Sequence, residues 1–282
     1  MLQIPVPEFF TPKKYAKRNL LFFAVSWSLA VPILADQTIE HPEWKAYFEA
    51  SGVAGTIVVT DLAKGETHVY NPQRAAEPFI PASTYKIPHS LIALETGVVK
   101  DENQRFKWDG QKRWVEAWNR DQTFRSALKY SVVWVYQEIA RQVGEQRESD
   151  YLKKFSYGNE DVSGGVDHFW LDGPLRITAL QQIEFLKKFY LNQLPVSERS
   201  SLIVKDMLIN EANSKYILRA KTGMGVSRTP AIGWWVGWVE TDNDTYFFAL
   251  NLDLAKDEDA PKRMIVARQC LASLSVLPAA TN

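Results

Sequence analysis

Strand-like stretches stand at both ends of this chain with a long helix-patterned middle between them, and this limits the fold more than any single motif. Gly55-Thr-Ile-Val-Val-Thr60 and Thr67-His-Val-Tyr70 are β-branched runs on either side of Asp61-Leu-Ala-Lys-Gly65-Glu66, the signature of a hairpin. Strands return at about 217–222, 232–240 and 245–253, the last two joined across Thr241-Asp-Asn-Asp244. Residues 42–50 read as a short amphipathic helix, about 81–192 as mainly helical, and about 260–274 as a closing helix. The expected fold class is α/β of the α+β type. An antiparallel sheet flanked by helices is built from both chain ends (about 36–78 and 200–282), and an all-helical lobe (about 79–199) is inserted. With 282 residues the chain can bury a substantial core in one large domain.

The N-terminus is read separately. Lys13, Lys14, Lys17 and Arg18 precede an apolar run over 20–35, followed by Asp36-Gln37. This predicts a signal peptide over 1–35, cut near Ala35, and a catalytic domain over 36–282 exported to the periplasm. The run is short for a membrane span, so no stable membrane association is expected after cleavage. Lys plus Arg and Asp plus Glu number 33 each, which gives no electrostatic reason for a nucleic-acid partner. Cys270 is the single cysteine and reads as a small buried hydrophobe. His41, His68, His89 and His168 are scattered without metal-ligand spacing, so no metal is expected.

Three short motifs carry the chemistry. In Pro81-Ala-Ser83-Thr-Tyr-Lys86-Ile-Pro88, a tight turn ahead of Pro88 stacks Lys86 onto Ser83, and a serine nucleophile needs an adjacent base. Alone, Ser-x-x-Lys occurs by chance in many proteins. Lys221-Thr222-Gly223 closes a predicted strand, and Ser131-Val-Val133 lies between the two. In this order the three form the set shared by serine β-lactamases and penicillin-binding proteins. Lys221 offers charge to a substrate carboxylate, Thr222 a hydroxyl, and Gly223 close backbone approach. The N–H groups of Ser83 and Met224 are the expected oxyanion hole.

Over roughly 44–274 the sequence resembles the class D, oxacillinase-type β-lactamases. Further matching stretches are Phe106-Lys-Trp-Asp-Gly110, Tyr157-Gly-Asn159, Phe169-Trp-Leu-Asp-Gly173 and Gly233-Trp-Trp-Val-Gly-Trp238. The family usually has Phe where this chain has Tyr85. A class A enzyme would instead carry Ser-Asp-Asn and a deacylating glutamate, and neither is found. The resemblance implies a β-lactamase and penicillin-binding-protein fold, and hydrolysis of β-lactam antibiotics, hence resistance, through an acyl-enzyme on Ser83. It implies that carbon dioxide, supplied as bicarbonate, converts Lys86 to N6-carboxylysine, the general base of both half-reactions, with no other cofactor.

Carbon dioxide attacks only the neutral amine, so Lys86 must sit where its charge is disfavoured. Val133, Phe169, Trp170 and Leu171 are the apolar candidates for that pocket, and Trp170 has one N–H suited to a carbamate oxygen. Ser131 is expected to relay a proton to the departing nitrogen. Family precedent points to Arg263 for the substrate carboxylate, with Lys262, Arg268 and Arg228 as nearby cations. The partner is a small-molecule β-lactam. Homodimers are known among relatives, and the residues leave the oligomeric state open. A penicillin-binding transpeptidase, or a β-lactam sensor that stays acylated, is the alternative; Ser-Val-Val in place of Ser-x-Asn, together with Trp170, favours the hydrolase.

Overall fold

The computed structural model describes residues 37–278. Its strands are β1 (Gln37–Glu40), β2 (Gly55–Asp61), β3 (Glu66–Tyr70), β4 (Arg105–Phe106), β5 (Gln122–Thr123), β6 (Ile209–Ala212), β7 (Tyr216–Gly225), β8 (Ala231–Thr241) and β9 (Thr245–Leu254). The helices up to the middle of the chain are α1 (Lys45–Ala50), α2 (Pro72–Ala75), α3 (Lys86–Glu95), α4 (Phe124–Lys129) and α5 (Val133–Val143). They are followed by α6 (Glu145–Phe155), α7 (Ala179–Tyr190), α8 (Glu198–Met207) and α9 (Lys262–Ser273). The signal expected over 1–35 lies outside the described residues.

Period-two alternation builds the main sheet, ordered β1-β3-β2-β9-β8-β7-β6. Along β8, Trp234, Val236 and Trp238 join Val58, Phe247 and Ala249 in a core shared with α3, α5 and α7. Trp235 and Val239 point the other way, with Ile57, Val59, Phe248 and Leu250, onto Trp44, Phe48 and the α9 residues Val266, Ala267 and Leu271. Burying each such large side chain contributes roughly 1.5–3 kcal/mol. The sheet is thus covered on both faces, by the middle of the chain on one side and by helices near its two ends on the other. Cys270 lies in the second core, where burial pushes its thiol well up and keeps it unreactive.

Four features depart from the sequence expectation, one being that the inserted lobe is not all-helical, since β4 and β5 pair within it as a two-stranded sheet. The sheet is mixed rather than antiparallel, because β1 runs parallel to β3 with Gln37 opposite Glu66. Strand β6, also unexpected, pairs with β7 across an irregular register. Both are short edge strands with mostly exposed side chains, held by backbone bonds that leave no apolar alternation to read. Helix α8 also carries the helical segment past residue 199.

At the end of the β2–β3 and β8–β9 hairpins, Asp61 and Asp244 form a close carboxyl pair. Asp244 accepts from the Ala63 and Thr245 amides at 3.0 and 2.6 Å. Burial, and then hydrogen bonding to Asp61, raise the Asp244 pKa to about 6. A raised carboxylic acid binds its proton more tightly in the folded chain, so stability falls as pH climbs from about 4 through about 6. Asp244→Asn keeps the amide acceptor and adds a donor toward Asp61. It is expected to stabilise the protein by about 1 kcal/mol at pH 8, after screening at this partly exposed site, and far less at pH 4. Thermal unfolding at the two pH values checks this; an equal shift at both would remove the carboxyl pair as its cause.

Candidate active site

The sequence around Ser83 folds as a 3₁₀ turn, Ala82–Tyr85, that runs directly into α3. Side chains three residues apart eclipse in such a turn, and Lys86 Nζ comes to 3.0 Å from Ser83 Oγ. Ala82 is held at φ 48°, a left-handed strain costing roughly 1–3 kcal/mol next to the serine. Several contacts pin the segment. Thr84 Oγ1 donates to Pro81 O at 2.7 Å and accepts from Gln182 Nε2 at 2.9 Å. Trp234 Nε1 donates to Ile80 O at 2.9 Å, joining β8 to the approach to the turn.

Lys86 is fully buried. Burial, and then the like charge of Lys221, hold its amine well below the ordinary lysine range. Its Nζ stands 5.0 Å from the Tyr136 ring centre. Of the four residues expected to line this pocket, Phe169 and Trp170 are fully buried, while Val133 at the start of α5 and Leu171 are half-buried. Trp170 Nε1 is buried with no hydrogen-bond partner. An orphaned buried donor and a lysine whose charged form burial disfavours are the two features a carbamate at Lys86 requires, so the residues fit that group.

Ser131 lies between α4 and α5 at φ 54°. Lys221 Nζ donates to Ser131 Oγ and, at 3.0 Å, to Thr222 O. Burial, and then Arg263, lower the Lys221 pKa to about 7. Strand β7 places Lys221, Thr222, Gly223 and Met224 opposite Val236, Trp235, Trp234 and Gly233 of β8. A Cβ at Gly223 would stand 3.0 Å from Pro81 O and 3.1 Å from Thr84 Cγ2, so glycine lets the strand close on the catalytic turn. A cavity of about 630 Å³ opens beside Lys221 and Thr222 and extends to Arg125, Lys129 and Ile209.

The four cations separate clearly. Lys262 pairs with Asp259 at 2.8 Å, Arg268 with Glu211, and Arg228 with Asp253 at 2.9 Å. Arg263 instead donates to two carbonyls at 2.6 Å, those of Ala260 and Gly223. Among the described residues no carboxylate lies within ion-pair distance of it. Burial lowers its pKa to about 10, which still leaves it charged at neutral pH.

Tyr157-Gly158-Asn159 acts as a clasp on the loop that carries Trp170. Asn159 Nδ2 donates to Pro174 O at 3.0 Å, its amide donates to Arg176 O at 2.9 Å, and its Oδ1 accepts from the Arg176 amide at 2.8 Å. Gly158 sits at φ 60°, where a Cβ would stand 2.1 Å from Arg176 O.

Two residues escaped the sequence reading and a third was noted only as a departure. Tyr85 Oη donates to Glu148 Oε2 at 2.6 Å, and His89 Nε2 stands 2.9 Å from Glu148 Oε1, all three side chains being fully buried. Burial, and then Glu148, push the Tyr85 phenol well up, so it remains a donor at neutral pH. One signal was available: Glu148 shares the apolar register of α6 with Leu152 and Phe155, where a carboxylate is out of place.

Comparison with known proteins agrees with this geometry. Residues 55–272 match the penicillin binding protein transpeptidase domain. Over 256 residues the chain is 49% identical to β-lactamase OXA-48 of Klebsiella pneumoniae, covering 91% of this chain and 97% of that protein. It is 44% identical to β-lactamase OXA-10 of Pseudomonas aeruginosa over 252 residues, 88% and 95% of the two chains. Among solved structures, the class D β-lactamase YbXI from Nostoc superposes with a TM-score of 0.82 at 40% identity, covering 84% of this chain and all of that one. With its three motifs in mutual contact and likeness over most of its length, the chain belongs to the class D serine β-lactamases, within the penicillin-binding-protein transpeptidase family.

Proposed function

We propose that the protein hydrolyses β-lactam antibiotics through an acyl-enzyme on Ser83. The observation that carries this reading is the fully buried Lys86 at 3.0 Å from Ser83 Oγ, its amine held well below the ordinary lysine range by burial and then by Lys221. Arg263 and Lys221 attract the substrate carboxylate. Ser83 Oγ attacks the lactam carbonyl and releases its proton toward the Lys86 side chain. The N–H groups of Ser83 and Met224 receive the developing oxyanion. The C–N bond breaks, and Ser131 passes a proton to the departing nitrogen while Lys221 replenishes it. Carboxylated by carbon dioxide and held by the Trp170 N–H, Lys86 carries an anionic base suited to both half-reactions. Water then attacks the ester carbonyl, and Ser83 leaves with its proton restored. Exported by the N-terminal signal, the enzyme acts in the periplasm and confers resistance.

The test is hydrolysis of a chromogenic cephalosporin by the mature protein, after removal of carbon dioxide and again with bicarbonate restored. Protons compete with carbon dioxide for the Lys86 amine, so the dependence on bicarbonate is expected to steepen as pH falls from 8 to 6. Turnover is expected to drop at least about tenfold on depletion and to return on addition, a base of this kind contributing about 10²–10⁴-fold. A single stoichiometric burst, indifferent to bicarbonate, would instead assign the protein to slow-deacylating sensors or penicillin-binding proteins.

A further inference from the structure

We propose that Tyr85, Glu148 and His89 form a buried clamp that positions the Trp170 indole for carboxylation of Lys86; this rests on the Lys86 reading above. Tyr85 and His89 are four residues apart on the segment that carries Ser83 and Lys86, whereas Glu148 reaches in from α6. The carboxylate accepts from Tyr85 Oη at 2.6 Å, which ties α6 to the turn at Ser83, and its other oxygen lies 2.9 Å from His89 Nε2 with no aligned hydrogen bond between them. Burying a carboxylate costs several kcal/mol of desolvation that a paired partner only partly returns, and apolar side chains fill such a space more cheaply. In some proteins a polar group is retained in the core because it fixes a single arrangement.

What this cluster fixes is legible from its neighbours. Trp170 packs its indole on Tyr85, ring centres 5.5 Å apart and tilted 31°, and edge-on to His89 at 5.3 Å and 67°. Phe169 closes another side at 5.0 Å. Trp170 makes no hydrogen bond of its own, so packing alone sets the direction of its N–H. Of the three rings that set it, Tyr85 is hydrogen-bonded to Glu148 and His89 lies against the same carboxylate. His89 also packs edge-on to Tyr136, the ring against which Lys86 lies. The clamp therefore touches Trp170 on one side and Tyr136, the ring against which Lys86 lies, on the other, and its members are positioning residues.

Two variants test the proposal: Tyr85→Phe, and the apolar triple Tyr85→Phe, His89→Leu, Glu148→Met, which removes the buried charge and keeps the fold if the single variant does not. Each full-length mature protein is titrated with ¹³C-bicarbonate while the carbamate resonance is read by NMR, alongside kcat, KM and thermal midpoint. Half-occupancy is expected to need about tenfold more bicarbonate in both variants, with kcat recovering at saturating bicarbonate and KM little changed. The triple should hold or exceed the parental thermal midpoint. Parental bicarbonate affinity in the variants would overturn the clamp, whatever their stability. A parent chain with no carbamate resonance would overturn the Lys86 reading itself, and the clamp with it.

Discussion

Lys86→Ala is expected to lower turnover of a chromogenic cephalosporin by about 10⁴-fold or more, the scale on which removal of a base acting as one unit with its nucleophile is felt. The geometry leaves no substitute. Among the described residues, Lys86 Nζ is the side-chain group hydrogen-bonded to Ser83 Oγ. Lys221 is engaged with Ser131 Oγ and Thr222 O, and it cannot reach around to activate water on the acyl-enzyme without giving up those contacts. Both half-reactions therefore slow, and the second slows more, because an ester in a pocket without a base has no route to an activated water. Intact-mass measurement is expected to find antibiotic bound covalently to the variant for hours, where the parent releases it. Removing a buried amine also lifts its desolvation cost, which offsets part of the cavity left behind, so the variant should remain folded. Activity within tenfold of the parent would show that another group serves as base.

How much of this was readable beforehand depends on the range of the interaction. The β8 and β9 alternation, the hairpin at β2–β3 and the turn that stacks Lys86 on Ser83 are local, set by residues two to four apart. The edge strands were not readable, because β1 and β6 are held by backbone pairing with exposed side chains, and no apolar pattern marks them. Among Arg228, Lys262, Arg263 and Arg268, only family precedent singled out Arg263, and the residues' own pattern did not. What separates them is which cations already hold a carboxylate, and those partners are as far away in the chain as Glu211 from Arg268. The pairing of Lys221 with Ser131 spans 90 residues, though the order of motifs anticipated it. The Tyr85–Glu148 bond spans 63 and the pairing was not anticipated, although Tyr85 stood out as a departure from the family's Phe. Glu148 shows why: its placement on the apolar face of α6 is a visible anomaly, but the hydroxyl that bonds it belongs to another element.

Ser83→Ala is expected to abolish turnover to a similar degree, about 10⁴-fold or more, yet to leave a different trace. Without Oγ no ester forms, so mass spectrometry should find no antibiotic adduct even after long incubation, in contrast to the long-lived adduct on Lys86→Ala. Lys86 is fully buried on the turn and lies against the Tyr136 ring, and neither depends on the serine hydroxyl. Burial, the larger cause of the lysine's lowered pKa, is likewise unchanged. The Ser83→Ala chain should therefore still take up ¹³C-labelled carbon dioxide at Lys86 at close to parental bicarbonate. Together the two variants divide the reaction: one keeps the nucleophile and loses the base, the other keeps the base and loses the nucleophile. An adduct on Ser83→Ala would place the nucleophile elsewhere. Loss of the labelled signal together with the hydroxyl would mean that Ser83 itself holds the lysine in its reactive state, and that the pocket is less complete than its buried walls indicate.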